Sequence, residues 1–237
     1  MALYVDSAYL DDIMKVAQTV PLAGVTTNPT ILLAARERGQ IMDLDSLVKG
    51  LVSSLNMPGG LIFMQPGSMD EEEMYQQAMA HWFAVEQALT PTHGGYALIE
   101  CAVHKIAMTP TGMRVAKRLK YRHHRVAFTA VTTVAQAYSA AVLGADFVIP
   151  YYNRLERAGV DASERIAEMA ELLHSQGLPT RILAASIKSP AEAVRALLAG
   201  AHDITATPQV LLDMVSDPQT DAAIEKFAHD WQKMKTL

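Results

Sequence analysis

The sequence predicts a single (β/α)8 barrel, the TIM-barrel architecture, with a C-terminal helical extension. Eight short apolar runs recur along the 237 residues, segments with helical apolar spacing lie between them, and no linker-like stretch divides the chain. The runs lack the strict alternation of a sheet with one wet face, which is typical of parallel strands covered on both sides. Residues 1–237 are therefore treated as one domain, with a doubly wound open sheet as the alternative architecture.

The predicted strands are short and regularly distributed. Each is rich in aliphatic, β-branched or aromatic residues and is followed by a turn signal or a helical pattern. Eight units of this kind are what a closed (β/α)8 barrel requires. In chain order the predicted strands are residues 3–6, 23–27, 60–65, 97–106, 125–131, 146–152, 181–186 and 202–207.

Amphipathic segments between these runs predict helices. Residues 70–89 are preceded by Ser68, and Glu71 lies three residues after that serine, which is the spacing of a capping box. Residues 161–177 and 189–200 place apolar residues on one helical face, and each ends in glycine, the preferred residue just past a helix. These segments are the expected outer layer of the barrel.

The C-terminal segment, residues 217–237, predicts a helical arm. It starts at a proline turn and places Ile224, Phe227 and Trp231 on one helical stripe. Because it follows the eighth predicted strand, it can extend the last barrel helix. Packing on a neighbouring subunit and packing on its own barrel both agree with this pattern.

Composition and charge exclude several classes of partner. The formal net charge is −5 and the basic residues are scattered, apart from residues 116–125, which we interpret as the solvated end of a helix and its loop. We therefore expect no nucleic acid partner. Cys101 is the one cysteine, so an internal disulfide is excluded, and no secretion signal or long apolar span is seen. These features predict a cytoplasmic protein without a membrane partner.

Polar residues at the predicted strand ends are the candidates for chemistry, because reactive groups of such barrels lie where the βα loops meet. Lys105 is the one amine among them. In an apolar barrel mouth, desolvation lowers the pKa of a lysine and makes it a nucleophile that forms Schiff bases. The alternative is a strand-end lysine that reaches solvent. The full set is Asp6, Thr26, Thr27, Asn28, Gln65, Lys105, Thr129, Tyr151, Ser186 and Thr205.

The neighbours of Lys105 suggest acid–base chemistry without a metal. Asp6 could pair with the amine or shuttle protons, and Gln65, Thr129 and Tyr151 could hold and polarise a water molecule. Each of them could equally form an ordinary strand-end hydrogen bond. Adjacent histidines at 123–124 point apart on a loop, and no zinc spacing or glycine-rich phosphate loop is present. We therefore expect neither a metal nor an organic cofactor.

Eight stretches of the sequence fall in one order that spans nearly the whole chain. They are LYVD (3–6), PLAGVTTNPTI (21–31), FMQ (63–65), HKIAMTPTG (104–112), FTAVTTVAQ (128–136), GADFVIPYYNRL (144–155), ILAASIKSP (182–190) and DAAIEKFAHDW (221–231). Together they resemble the transaldolase-like class I aldolases, and most closely the fructose-6-phosphate aldolase subgroup. TTNP after an early strand is a specific marker, and the joint match is stronger than any one stretch.

The resemblance implies catalytic roles for five residues. Lys105 falls at the position of the family's Schiff-base lysine, and Asp6 falls beside that amine. Gln65, Thr129 and Tyr151 match the group that positions a catalytic water, with the Tyr151 hydroxyl as the acid/base. Transaldolases usually have glutamate and phenylalanine where this chain has Gln65 and Tyr151, so both positions match the aldolase version.

The resemblance also implies substrate-binding residues. Asn28 flanks the amine and, with Thr27, belongs to the TTNP marker. Arg154 and Ser186 match positions that hold the phosphate of the acceptor, which suits a guanidinium and a hydroxyl. The expected ligands are a sugar phosphate or a small ketone or aldehyde. A homo-oligomer, a pentamer or a decamer of two stacked pentamers, is also implied.

The implied activity is that of a class I aldolase. It would cleave or form the C3–C4 bond of a ketose phosphate such as fructose 6-phosphate, giving dihydroxyacetone and glyceraldehyde 3-phosphate. One alternative is transaldolase-type transfer of a dihydroxyacetone unit, on an ordinary or a modified sugar. A second is a barrel that binds sugar phosphates without catalysis.

Three features depart from the family pattern. Ala107 replaces the proline that stiffens the turn after the lysine. Phe128 and Ile149 stand where small residues are usual, and are expected to narrow or reshape the donor pocket. The stretch 66–96, with its long helix and the loop TPTHGG, is longer than in the family.

Overall fold

The computed structural model describes residues 1–40, 43–55, 60–93 and 101–236. Within these ranges eight parallel strands close into a barrel, each paired with its neighbours in the sequence and the last paired with the first. The (β/α)8 prediction is confirmed, and the open-sheet alternative is excluded. The strands are β1 (Ala2–Asp6), β2 (Gly24–Thr26), β3 (Leu61–Met64), β4 (Ala102–Ala107), β5 (Arg125–Val131), β6 (Phe147–Pro150), β7 (Arg181–Ile187) and β8 (Asp203–Ala206).

Helices surround the barrel and account for the amphipathic segments. None of those in the described residues is both long and apolar enough to cross a membrane. They are α1 (Leu10–Ala17), α2 (Pro29–Glu37), α3 (Leu44–Leu55), α4 (Glu71–His93), α5 (Pro110–Tyr121), α6 (Val134–Val142), α7 (Tyr152–Arg157), α8 (Ala162–Ser175), α9 (Pro190–Leu198), α10 (Pro208–Asp213) and α11 (Pro218–Lys235).

The start of α4 differs from the predicted capping box. The helix begins at Glu71, so the capping position is residue 70, and the Asp70 carboxylate accepts the backbone N–H of Glu73 at 2.9 Å. Ser68 instead donates its hydroxyl to the Glu73 carboxylate. The helix also includes residues 90–93, which the sequence assigned to a loop. The rest of that loop and the start of the predicted fourth strand, residues 94–100, lie outside the described residues.

Aromatic and aliphatic side chains fill the barrel interior, which is therefore a packed core and not a channel. The rings of Tyr4 and Phe63 pack edge to face with centroids 5.3 Å apart, and the Phe63 and Phe147 rings do the same at 5.1 Å. Ile149 and Leu183 belong to the same inner cluster.

Alternation along β4 decides which side chains reach the interior. Val103 belongs to the inner cluster, whereas Ile106 packs in the layer between sheet and helices. By the same period of two, Lys105 faces inward and His104 faces the helices. The one lysine of this strand is thereby placed inside the barrel.

Candidate active site

Lys105 lies near the carboxyl end of β4 with only 2% of its surface exposed. Its Nζ donates a hydrogen bond to the backbone carbonyl of Thr27 at 3.2 Å. Burial lowers the pKa of the Lys105 ammonium below its ordinary value; the Asp6 carboxylate opposes this effect and the Arg154 guanidinium adds to it. The amine is therefore enclosed and biased towards its neutral form, unlike a lysine that reaches solvent.

Asp6 ends β1, beside the amine, and is held by a neighbouring strand. The Thr26 hydroxyl donates to Asp6 Oδ1 at 2.6 Å, and the Thr205 hydroxyl oxygen lies 2.6 Å from that of Thr26. In the described part of the chain no ion pair joins Asp6 to Lys105, so Asp6 acts on the amine through space. Thr26 and Thr205 were among the polar residues predicted at strand ends, but the sequence assigned no role to either of them.

Thr129 and Tyr151 are brought together across β5 and β6. Their hydroxyl oxygens lie 2.7 Å apart, and the Arg154 guanidinium lies over the Tyr151 ring at 4.6 Å from its centroid. The backbone of Ala130 has φ +59°, and the pairing of β5 with β6 shifts register at this point. This irregularity follows directly after Thr129 in β5.

Gln65 directly follows β3. Its Oε1 is buried and has no hydrogen-bond partner among the described residues. An unpaired buried acceptor is unfavourable by about 1–3 kcal/mol. A donor from a ligand or water would relieve this cost, which agrees with a role for Gln65 in holding one.

Thr27 and Asn28 use much of their hydrogen-bonding capacity within the fold. The Thr27 hydroxyl donates to the carbonyl of Phe63 at 3.0 Å, and its own carbonyl accepts from Lys105. The Asn28 Oδ1 caps α2 by accepting the N–H of Ile31 at 3.0 Å. A ligand contact from Asn28 would therefore come from its amide nitrogen.

Ser186 lies at the carboxyl end of β7, where φ is +60° and the pairing with β8 shifts register. Arg154 is the third residue of the short helix α7, just after β6. Among the described residues no hydrogen bond joins Gln65, Asn28 or Ser186 to the group around Lys105. The structure thus joins Lys105 to Thr27 and Thr129 to Tyr151 by direct contacts, while Asp6 and Arg154 act on the Lys105 amine electrostatically. The other candidates lie at or just after the ends of strands, at the same edge of the barrel.

The departures from the family pattern have different outcomes. Phe128 packs in the outer layer, because it precedes the inward-facing Thr129 by one residue, so the expectation that it narrows the pocket is wrong. Ile149 does lie in the barrel interior. Ala107 still pairs with Thr129 in the sheet, and Thr109 caps α5 by accepting the N–H of Gly112. The turn after Lys105 is therefore held without its proline.

A second buried group escaped sequence reasoning. On the outer face of β4 the His104 ring lies 5.0 Å from that of His124, which in turn lies 4.9 Å from the ring of Trp82. His104 Nε2 and His81 Nδ1 are buried with no partner among the described residues. His124, assigned to a solvated loop, is half-buried. Because side chains alternate along a strand, the inward position of Lys105 could have predicted that His104 faces the helices. The sequence contains no signal for the distant residues that His104 meets there.

A family model for Transaldolase/Fructose-6-phosphate aldolase matches residues 3–237. The chain belongs to this family. The resemblance noted in the sequence is thereby confirmed, and the protein is an enzyme of the aldolase and transaldolase class.

Relatives within the family have both names. A "Probable transaldolase" of Symbiobacterium thermophilum is 34% identical over 235 residues, covering 99% of each chain. A "Probable fructose-6-phosphate aldolase" of Streptococcus pneumoniae is 34% identical over 233 residues, covering 98% of this chain and 96% of the relative. A "Probable transaldolase" of Desulforudis audaxviator is 33% identical over 235 residues, with 99% coverage of both. At this identity the names do not separate the two reactions.

Proposed function

We propose that this member of the family is a Schiff-base aldolase that cleaves or forms the C3–C4 bond of a ketose phosphate such as fructose 6-phosphate. The single observation that supports it most is the enclosed Lys105 amine, whose pKa burial lowers. Lysine attacks a carbonyl only as the neutral amine, so this environment suits a nucleophile. The proposed chemistry uses no metal or organic cofactor.

In the first step the Lys105 amine adds to the C2 ketone of the sugar. The carbinolamine loses its hydroxyl as water and becomes an iminium ion on Nζ. This loss needs one proton, which we assign to Asp6 as a shuttle beside the amine. The positive iminium nitrogen then withdraws electrons from the C3–C4 bond.

In the second step the C4 hydroxyl gives up its proton and the C3–C4 bond breaks. The electron pair of that bond moves to the iminium, which becomes an enamine, and the aldehyde glyceraldehyde 3-phosphate leaves. A water held by Gln65 and the paired hydroxyls of Thr129 and Tyr151 takes the proton, with Tyr151 as the acid/base. The enamine is then protonated at C3 and hydrolysed, which releases dihydroxyacetone and restores Lys105.

Arg154 and Ser186 are assigned to the phosphate of the aldehyde half. A guanidinium and a hydroxyl at one edge of the barrel match the charge and the acceptor oxygens of a phosphate. Arg154 also lies over Tyr151, so a phosphate bound there would bring the C4 hydroxyl towards the Tyr151 and Thr129 pair.

Transaldolase-type transfer is the second candidate, and the relatives named as transaldolases favour it. Transfer uses the same enamine but passes it to a second aldehyde before water can hydrolyse it. Gln65 and Tyr151 favour the aldolase, because they match the version of the site that positions water. A non-catalytic sugar-phosphate barrel is the least favoured outcome.

Borohydride trapping tests the proposal. Protein incubated with fructose 6-phosphate or dihydroxyacetone and then reduced should gain the mass of the reduced ketone on the Lys105 peptide. Lys105→Met, which keeps the length and apolar stem of the side chain, is the control and should show no increment. Absence of any adduct with a range of ketoses and small ketones would favour the non-catalytic barrel.

The two reactions are separated by measuring free ketone. An aldolase releases dihydroxyacetone from fructose 6-phosphate without added aldehyde. Release that depends strictly on an acceptor aldehyde would show transfer instead and would overturn the aldolase assignment while leaving the Schiff base intact.

A further inference from the structure

A row of three side chains on adjacent strands supports the carboxylate beside Lys105. In the closed barrel β1 lies between β8 and β2, and these strands contribute Asp6, Thr26 and Thr205. Both threonines are fully buried. The two contacts are each 2.6 Å, at the short end for O–H···O hydrogen bonds, and the one to Asp6 has the length typical of a charged acceptor.

The direction of these hydrogen bonds follows from counting protons. An ionised carboxylate can only accept, so the Thr26 hydroxyl must donate its one proton to Asp6. The Thr26 oxygen then has no proton left for Thr205, and its close contact at 2.6 Å requires Thr205 to be the donor. The row therefore runs Thr205 to Thr26 to Asp6, with every hydroxyl dipole aimed at the carboxylate.

We propose that Thr205 is a positioning residue that acts through Thr26 to hold the Asp6 carboxylate in the orientation used for proton transfer at the Lys105 adduct. The hydrogen bond from Thr205 orients the Thr26 hydroxyl. It also strengthens the hydrogen bond from Thr26 to Asp6, because consecutive hydrogen bonds polarise one another. Without that donor the Thr26 hydroxyl can turn away and Asp6 loses its fixed partner. The inference rests on the proposed Schiff-base function, and Thr205 itself touches no reacting atom.

Two matched pairs of variants test the hydroxyl alone. Thr205→Val keeps the shape and removes the donor, so it is compared with the unaltered protein, whereas Thr205→Ala is compared with Thr205→Ser. The rate of adduct formation with dihydroxyacetone is followed by borohydride quenching. We expect the rate to fall about tenfold in each donor-free member, the scale of one hydrogen bond of about 1.4 kcal/mol, with the final adduct yield unchanged.

A double-mutant cycle shows whether Thr205 acts through the carboxylate. In an Asp6→Asn background, Thr205→Val should change the rate of adduct formation by less than about twofold, because the group that it positions is gone. Equal losses of rate in both backgrounds would overturn the inference. An unaltered rate of adduct formation in Thr205→Val would also overturn it. So would a Thr205→Ser variant whose rate is reduced as much as that of Thr205→Ala.

Failure of this inference is distinct from failure of the proposed function. If the unaltered protein forms no adduct with any ketone, the function itself is wrong. If it forms the adduct but the donor-free variants keep its rate, only the role of Thr205 is wrong. Should Thr205→Val not fold, the Thr205→Ser and Thr205→Ala pair gives the same comparison.

Discussion

At the scale of single residues, the neighbours His104 and Lys105 show that burial has different consequences on the two faces of one strand. Both are basic side chains with no more than 2% exposure, and in both burial lowers the pKa. Lys105 faces the interior, where Asp6 and Arg154 act on it. His104 faces the helix layer, where it meets the His124 ring. One position suits chemistry, and the other makes stability depend on pH.

The histidine cluster predicts a loss of stability in mild acid. Burial, with the charges of His124 and His81 adding to it, lowers the pKa of His104 from 6.5 to about 3. Between these values the unfolded chain binds a proton that the folded chain does not. The stabilisation is therefore complete above pH 6.5 and decreases as the pH falls, by about 1.4 kcal/mol per pH unit for this one group.

Urea unfolding at several pH values between 7.5 and 5 measures this effect. Carboxylates also titrate towards the acid end, so His104→Val is the control. The free energy of unfolding of the His104→Val variant should fall less steeply as the pH is lowered than that of the unaltered protein. The two slopes should differ by about 1.4 kcal/mol per pH unit. Parallel curves for the two proteins would show that His104 takes up its proton in the folded state.

At the scale of elements, helix ends in this barrel share one backbone arrangement. After α8, the N–H of Gly177 donates to the carbonyl of His174, and Gly177 has φ +62°. The N–H of the residue after Gly177 donates to the carbonyl of the residue before His174. The end of α5 has the same two hydrogen bonds. The N–H of His123 donates to the carbonyl of Lys120, and the N–H of the residue after His123 donates to the carbonyl of the residue before Lys120. There the residue with φ +62° is His123.

We expect His123→Gly to stabilise the protein by about 0.5–1 kcal/mol. A left-handed conformation is unfavourable for a residue with a Cβ and free for glycine, and this gain exceeds the extra chain entropy that glycine loses. His123 is exposed, so little packing is lost. The free energy of unfolding in urea at pH 7.5 measures the change.

The reverse substitution is the matched control. A Cβ at Gly177 would meet no atom within 4 Å, so Gly177→Ala tests the backbone conformation alone. It should destabilise the protein by about 1 kcal/mol. Destabilisation by His123→Gly would contradict the argument and indicate that the imidazole makes a favourable contact.

At the scale of the whole molecule, the C-terminal arm is a helix whose apolar stripe the single chain leaves exposed. Helix α11 has no buried residue in the described structure, although Ile224, Phe227, Trp231 and Met234 form one apolar stripe, each more than half exposed. Such a stripe on a monomer is typical of an interaction surface. We propose that α11 packs on a neighbouring subunit of a homo-oligomer and not on its own barrel, which was the other arrangement that the sequence left open.

Light scattering on the eluting protein tests this assembly. We expect a mass of five or ten chains, and a smaller species for the double variant Phe227→Glu and Trp231→Glu, because two charges would be buried in an apolar contact. His229→Glu puts a charge on the opposite face of the helix and should leave the mass unchanged. A monomeric unaltered protein, or a double variant of full mass, would contradict the proposal.

Much of this architecture could be predicted because its signals are local. Strands such as 125–131 were recognisable from a few consecutive residues, and Lys105 stood out as the one amine at a strand end. The family motifs then indicated roles that periodicity cannot assign. The capping residue of α4 was misplaced by two positions, because Asp70 and Ser68 both offer a capping oxygen and only the path of the chain selects one.

By itself, the sequence determined the number and order of the strands, the placement of an amine at the carboxyl end of the fourth, and membership of an aldolase and transaldolase family. Only the tertiary structure decided which wall each side chain faces, as with Phe128 on the outer layer, and which hydroxyl meets which carboxylate. Thr205 reaches Thr26 across 179 positions. That contact exists because the eighth strand closes on the first, and closure is a property of the whole sheet that no local stretch of residues contains.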